Sequence, residues 1–303
     1  MTDLSVHIGG LRLANPVLTA SGTFGYGEEF NDFFDLNRLG GLITKTVTLE
    51  YRPGNPPPRI VETAAGMLNS IGLPNLGVDG FIREKWPFLQ TFTTPVIVNV
   101  AGKSGDDFVR VVERLETVSG ISAYELNFSC PNVKEGGLSF SANAATAHQV
   151  AHAVRQVTTR PLIVKLTPNV TSISEIGLAV QEAGADAVSA INTLVGMSVD
   201  IQTRRPRLAT VTGGLSGPAI KPVALAKVYE LVRSLRIPVI AIGGIFTAED
   251  ALEFLIVGAR AVQIGTASFV HPDAALQVIQ GLEKYCAEQN TSAADLCGTL
   301  ALR

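Results

Sequence analysis

Short apolar runs recur along the chain, separated by stretches in which apolar positions repeat every three or four residues. Residues 4–13 hold two small apolar groups around Gly9-Gly10, the signature of a hairpin. Eight β-type runs then follow, at 16–20, 41–47, 95–100, 123–128, 161–166, 187–191, 238–242 and 261–264. Amphipathic spacing predicts helices over 28–36, 106–118, 144–158, 173–183, 222–235 and 248–257. Short, continuously apolar strands alternating with helices predict an α/β protein with a parallel sheet covered on both faces. Eight such units over this length predict a (β/α)8 TIM barrel forming a single domain over residues 1–303; a doubly wound open sheet is the alternative. Two segments exceed ordinary barrel loops. Residues 48–75 are proline-rich, and 192–219 carry Arg204-Arg205-Pro206-Arg207. Both leave strand C-terminal ends, so they predict accessory strands or lids on the face where barrels keep their active sites.

Composition narrows the class. Hydrophobic residues make up 46% and charged residues 17% of 303, which suits a large buried core. No uncharged apolar run reaches the roughly 18 residues of a membrane helix, and no basic-then-apolar leader is visible near Asp3 and His7. Cys130, Cys286 and Cys297 are odd in number and form no CxxC, which predicts a reducing, cytoplasmic setting without disulfides. A net charge of -3 gives no reason to expect nucleic acid as a partner.

Candidate chemistry gathers at the strand ends. Ser21, Lys45, Asn99, Asn127, Lys165 and Asn192-Thr193 follow or end successive β-runs. One buried lysine or asparagine is ordinarily a satisfied structural group; repetition at equivalent places predicts a shared ligand site. Gly243-Gly244 and Gly265-Thr266, after the last two strands, predict a phosphate seat built from backbone N–H groups, with Ser216-Gly217 as a further contributor; tight βα turns are the plainer use of such glycines. In the run Asn127-Phe128-Ser129-Cys130-Pro131-Asn132, Cys130 stands at the turn, either as core filler or as a reactive thiol. There is no GxGxxG and no HExxH; Gly102-Lys103-Ser104 lacks the rest of a P-loop and reads as a helix start. His148 and His152 could share a helix face, but no third ligand accompanies them, and no metal site is expected. Flavin mononucleotide (FMN) suits a phosphate seat with two lysines in the mouth: a cation near its pyrimidine end stabilises the reduced ring, and a base opposite completes a carbon–carbon desaturation.

Several motifs in order resemble the dihydroorotate dehydrogenase family over essentially the whole chain. They are Ala20-Ser21-Gly22-Thr23-Phe24-Gly25, Thr44-Lys45-Thr46, Asn69-Ser70-Ile71-Gly72-Leu73-Pro74-Asn75, the Cys130 run, Ile191-Asn192-Thr193, Gly243-Gly244-Ile245 and Gly265-Thr266. The resemblance implies oxidation of (S)-dihydroorotate to orotate in pyrimidine biosynthesis, with Cys130 as the base. It implies FMN contacts at Ser21, Lys45, Thr46, Asn99, Asn127, Lys165, Ile191, Gly217, Gly243, Gly244, Gly265 and Thr266. It places substrate against Lys45, Asn69, Ser70, Ile71, Gly72, Leu73, Asn127, Asn192 and Thr193. A cysteine rather than serine base implies the soluble class. Val133-Lys134-Glu135-Gly136-Gly137 and Phe24-Gly25-Tyr26-Gly27 resemble the NAD-linked branch. That branch implies a partner subunit carrying FAD and a 2Fe-2S cluster, a homodimeric core and a heterotetramer of two catalytic and two electron-transfer chains. The alternatives are a fumarate-linked dihydroorotate dehydrogenase, a flavoenzyme similar to dihydropyrimidine dehydrogenase acting on dihydrouracil, a flavin-free aldolase-type barrel with Lys165 as Schiff-base lysine, and a non-catalytic scaffold.

Overall fold

The computed structural model describes residues 2–128 and 143–302. An antiparallel hairpin, β1 (Val6–Ile8) and β2 (Leu11–Leu13), opens the chain in the register Val6 to Leu13. Gly9 turns it at φ 57°, and a Cβ there would lie 2.9 Å from Asp186 Cβ, so only glycine lets the hairpin close over that end of the barrel.

The remaining strands follow in order. They are β3 (Val17–Thr19), β4 (Leu42–Ile43), β5 (Ile60–Thr63), β6 (Gly66–Asn69), β7 (Val96–Val100), β8 (Ala123–Asn127), β9 (Leu162–Leu166) and β10 (Ala187–Ala190). Then come β11 (Leu194–Met197), β12 (Val199–Asp200), β13 (Arg205–Pro206), β14 (Thr212–Ser216), β15 (Val239–Ile242) and β16 (Ala261–Ile264). Eight of them form one sheet in the order β3-β16-β15-β10-β9-β8-β7-β4, with every pair parallel. Its two ends meet through a parallel bridge between Leu18 and Gly41, so the sheet closes as the expected (β/α)8 barrel. All residues of these eight strands are buried, which fits strands whose two faces meet the barrel interior and the helical ring.

The helices are α1 (Gly77–Glu84), α2 (Trp86–Leu89), α3 (Gly105–Glu116), α4 (Ala144–Arg155), α5 (Ile173–Glu182), α6 (Lys221–Ser234), α7 (Ala248–Ile256), α8 (Ala267–Val270), α9 (Ala274–Glu288) and α10 (Ala293–Leu296). Helix α3 shows why they form. Phe108, Val111, Val112 and Leu115 repeat at helical spacing and are buried, while Ser104 accepts from Asp107 N at 3.2 Å as its N-cap. Gly102-Lys103-Ser104 is thus a helix start. Helices α1, α2 and α8 to α10 lie outside the stretches the amphipathic pattern picked out.

The helix expected over 28–36 does not form. The segment is a chain of turns, with Phe30 N and Asn31 N donating to Gly27 O and Phe33 N donating to Phe30 O, followed by one 3-10 turn at Leu36–Arg38. Gly27 enters at φ 88° with Leu36 Cδ1 2.9 Å from where its Cβ would stand, and Phe30 stacks on Phe24 at 3.9 Å between centroids. Aromatic packing against the barrel overrides a weak local preference here.

Both long loops yield the expected accessory strands. They join in one antiparallel sheet, β11-β14-β6-β5, with a two-stranded ribbon, β12 and β13, beside it. Asn75 latches the first loop. Its Oδ1 accepts from Thr48 N and Gly77 N at 3.2 and 2.8 Å, and its Nδ2 donates to Thr48 Oγ1 and Leu73 O at 2.8 and 2.9 Å. Among the described residues no helix is long and apolar enough to cross a membrane. Replacing Asn75 by alanine strands two backbone donors, and the fall in unfolding free energy is expected to be about 1–3 kcal/mol, read from urea midpoints at unchanged m.

Candidate active site

The C-terminal ends of the barrel strands bring most of the expected residues together. Ser21, Thr46, Asn99, Asn127, Lys165 and Ile191 are buried there, and Lys45, Asn192 and Thr193 are half-buried. Contacts across the mouth tie them. Lys165 Nζ donates to Ser21 Oγ at 3.3 Å, although β9 and β3 are far apart in the sheet order. Asn192 Nδ2 donates to Asn127 Oδ1 at 3.3 Å, and Thr46 Oγ1 donates to Asn99 Oδ1 at 2.6 Å. The peptide bond from Ala190 to Ile191 is cis. Cys130 lies outside the described residues, as do its neighbours through 142.

The accessory sheet delivers the loop from 69 to 73 to the same side. Asn69 Nδ2 donates to Gly214 O at 3.4 Å, and Asn55 holds the loop by its own N to Ile71 O and its Nδ2 to Ser70 O, both 2.9 Å. Leu73 stands at φ 55° beside Gly72 at φ 81°, a tight left-handed turn. Ser70 Oγ is buried without a hydrogen-bond partner among the described residues.

The glycines divide in two. Gly243 and Gly244 have φ 131° and 73°, and a Cβ on either would stand 2.7 Å from Ala224 or Lys221, so packing against the start of α6 already requires them. Gly265 has Ala20 Cβ 3.5 Å from its would-be Cβ, an ordinary contact, so packing does not by itself demand glycine there. Thr266 Oγ1 donates to Ser216 Oγ at 2.8 Å, which draws the end of β14, and Gly217 after it, to this corner.

Three residues went unnoticed in the sequence reading. Glu125, Ser189 and Gln263 are at most 1% exposed and form a hydrogen-bonded cluster with Asn99 inside the barrel. The signal was present: each is a polar residue in the middle of an apolar strand, and Glu125 stands two before Asn127 and so faces the same way. His148 and His152 stack at 5.8 Å between centroids, and no cluster able to hold a metal occurs among the described residues.

A sequence profile described as Dihydroorotate dehydrogenase matches residues 3–286. The chain belongs to the dihydroorotate dehydrogenase family. It is 54% identical over 286 residues to a protein of Geotalea uraniireducens named dihydroorotate dehydrogenase B (NAD(+)), catalytic subunit, covering 94% of each chain. It is 52% identical over 299 residues to the protein of the same name from Pelobacter propionicus, covering 98% of each. In three dimensions it is similar to a dihydroorotate dehydrogenase of Eimeria tenella crystallised with ferulenol, at TM-score 0.80 and 24% identity, over 98% of this chain and 88% of that one. That last likeness concerns the fold.

Two lysines, Lys45 and Lys165, stand at the mouth. The ion pairs of the described residues all lie elsewhere, and neither Lys45 nor Lys165 has a carboxylate in contact among those residues. Burial pushes the Lys45 ammonium below its ordinary value; Glu29 pulls it back, and Arg59 and Lys85 push it further down. Over the alkaline range beneath the ordinary lysine value of about 10.4, the unfolded chain therefore holds a proton that the folded chain has lost. Stability rises with pH through that range by this contribution. Lys45→Met is expected to remove it, seen as a flatter plot of unfolding free energy against pH for the ligand-free chain.

Proposed function

We propose that the chain is the FMN-bearing catalytic subunit of an NAD-linked dihydroorotate dehydrogenase, oxidising (S)-dihydroorotate to orotate. The carrying observation is the pair of lysines held, among the described residues, without carboxylate partners in a mouth lined by amides. A buried cation needs an anion, and the ligand brings it. The donor set fits FMN: Gly243, Gly244, Gly265, Thr266 and Gly217 gather where a phosphate would sit, and Ser21, Thr46, Asn99, Asn127, Lys165 and Ile191 ring the interior end. Bound there, FMN supplies the two-electron acceptor for the desaturation.

The side chains do the rest. Lys45 offers its ammonium to the substrate carboxylate. Asn69, Asn127, Asn192 and Thr193 match the donors and acceptors of a pyrimidine edge, since each amide carries both. Ser70, with its unspent hydroxyl, and the turn at 71–73 close the remaining side. Cys130 takes the C5 proton as thiolate.

The electrons leave through a second subunit with FAD and a 2Fe-2S cluster, in a heterotetramer built on a homodimer of this chain in the cytoplasm. Val195, Met197, Val199 and Ile201 support a protein contact: they alternate along one stretch of the accessory strands and are 62%, 52%, 47% and 81% exposed.

The purified chain is expected to be yellow and to bleach on anaerobic addition of dihydroorotate. Equal bleaching by dihydrouracil would refute the substrate, and a colourless protein trapped by borohydride would replace this reading with the Schiff-base barrel. Cys130→Ser is expected to retain FMN while stopped-flow flavin reduction slows roughly a hundredfold or more at neutral pH. Undiminished reduction would remove Cys130 as the base.

A further inference from the structure

Four barrel strands meet at one carboxyl group. Glu125 on β8 is 0% exposed. Its Oε1 accepts from Ser189 Oγ on β10 at 2.7 Å and from Gln263 Nε2 on β16 at 2.6 Å; its Oε2 accepts from Asn99 Nδ2 on β7 at 2.6 Å. Strands β8 and β16 are not neighbours in the sheet, so the contact with Gln263 runs through the barrel interior. All three partners donate, and no cation pairs with Glu125 among the described residues. This is the bonding pattern of an acceptor at both oxygens.

The consequence is directional. With its amide nitrogen committed to Glu125, Asn99 turns its oxygen to Thr46, whose Oγ1 lies 2.6 Å away. A hydroxyl has one proton, and here Asn99 takes it. Thr46, 3% exposed at the mouth, has only lone pairs left for anything bound there. We propose that Glu125 is a positioning residue: it orients Asn99 and thereby makes Thr46 a hydrogen-bond acceptor for a ring N–H of the flavin. The inference rests on the FMN reading above and adds a residue to it that touches neither cofactor nor substrate.

Glu125→Gln tests the polarity with almost no change of shape. One glutamine oxygen cannot serve both ends of the cluster. With that oxygen on Ser189 and Gln263 the new N–H turns to Asn99; Gln263 Oε1, buried without a hydrogen-bond partner among the described residues, can receive the N–H instead, and Glu125→Leu, which offers Asn99 no acceptor at all, covers that case. Asn99 then reverses, Thr46 receives from it, and the Thr46 proton points outward at the ring N–H. In the folded variant, checked by circular dichroism, the FMN dissociation constant is expected to rise about tenfold in a fluorescence titration of apoprotein. The flavin midpoint potential is expected to become more positive, because an acceptor is lost to the ring. Thr46→Val should move both quantities the same way, Thr46→Ser should stay near the parent, and the two lesions combined should be less than additive.

An unchanged dissociation constant and potential in both folded Glu125→Gln and folded Glu125→Leu overturns the proposal, as does full additivity with Thr46→Val. If Glu125→Gln does not fold, Thr46→Val against Thr46→Ser decides it, and no difference between them overturns it. Parent protein that binds no FMN at all would instead remove the reading beneath it.

Discussion

A closed parallel barrel turns half of its strand residues toward one another, with no water to satisfy them. Everything about this site follows from how that interior is filled. At most positions it is filled with apolar side chains, as a packed core requires. In one layer it is filled with Asn99, Glu125, Ser189 and Gln263, which hydrogen-bond to one another across the barrel, with Gln263 Oε1 left without a partner among the described residues. One step nearer the mouth stand Lys165, Thr46 and Asn127.

The two lysines stand above this layer. Lys165 is 5% exposed and leans on a hydroxyl rather than a carboxylate. Glu125 is occupied by three donors and forms no ion pair with it among the described residues. Burial of Lys45, reinforced by Arg59 and Lys85, belongs to the same arrangement.

Much of this was legible in the chain. Strand ends announce themselves because apolar runs stop at a polar residue, and Lys45, Asn99, Asn127, Lys165 and Asn192 all do so. The barrel follows from eight such runs, and the accessory sheet from two loops too long to be turns. Glu125 was overlooked because attention went to the ends of strands, whereas its role depends on partners 26, 64 and 138 residues away. The segment at 28–36 was misread because its periodicity suits a helix, while Gly27 and the stack of Phe30 on Phe24 settle its path through packing. The sorting of the glycines likewise needed coordinates: only the distances around Gly243, Gly244 and Gly265 separate glycines that packing demands from one that it does not.

The accessory sheet has a kinetic meaning as well as a geometric one. Its central pairing joins β6 to β14, and the contact of Asn69 with Gly214 spans 145 residues. Pairings of such high contact order are entropically expensive until the intervening chain is compact, because the loop they close is long. The accessory strands thus pair late, on a barrel already closed beneath them.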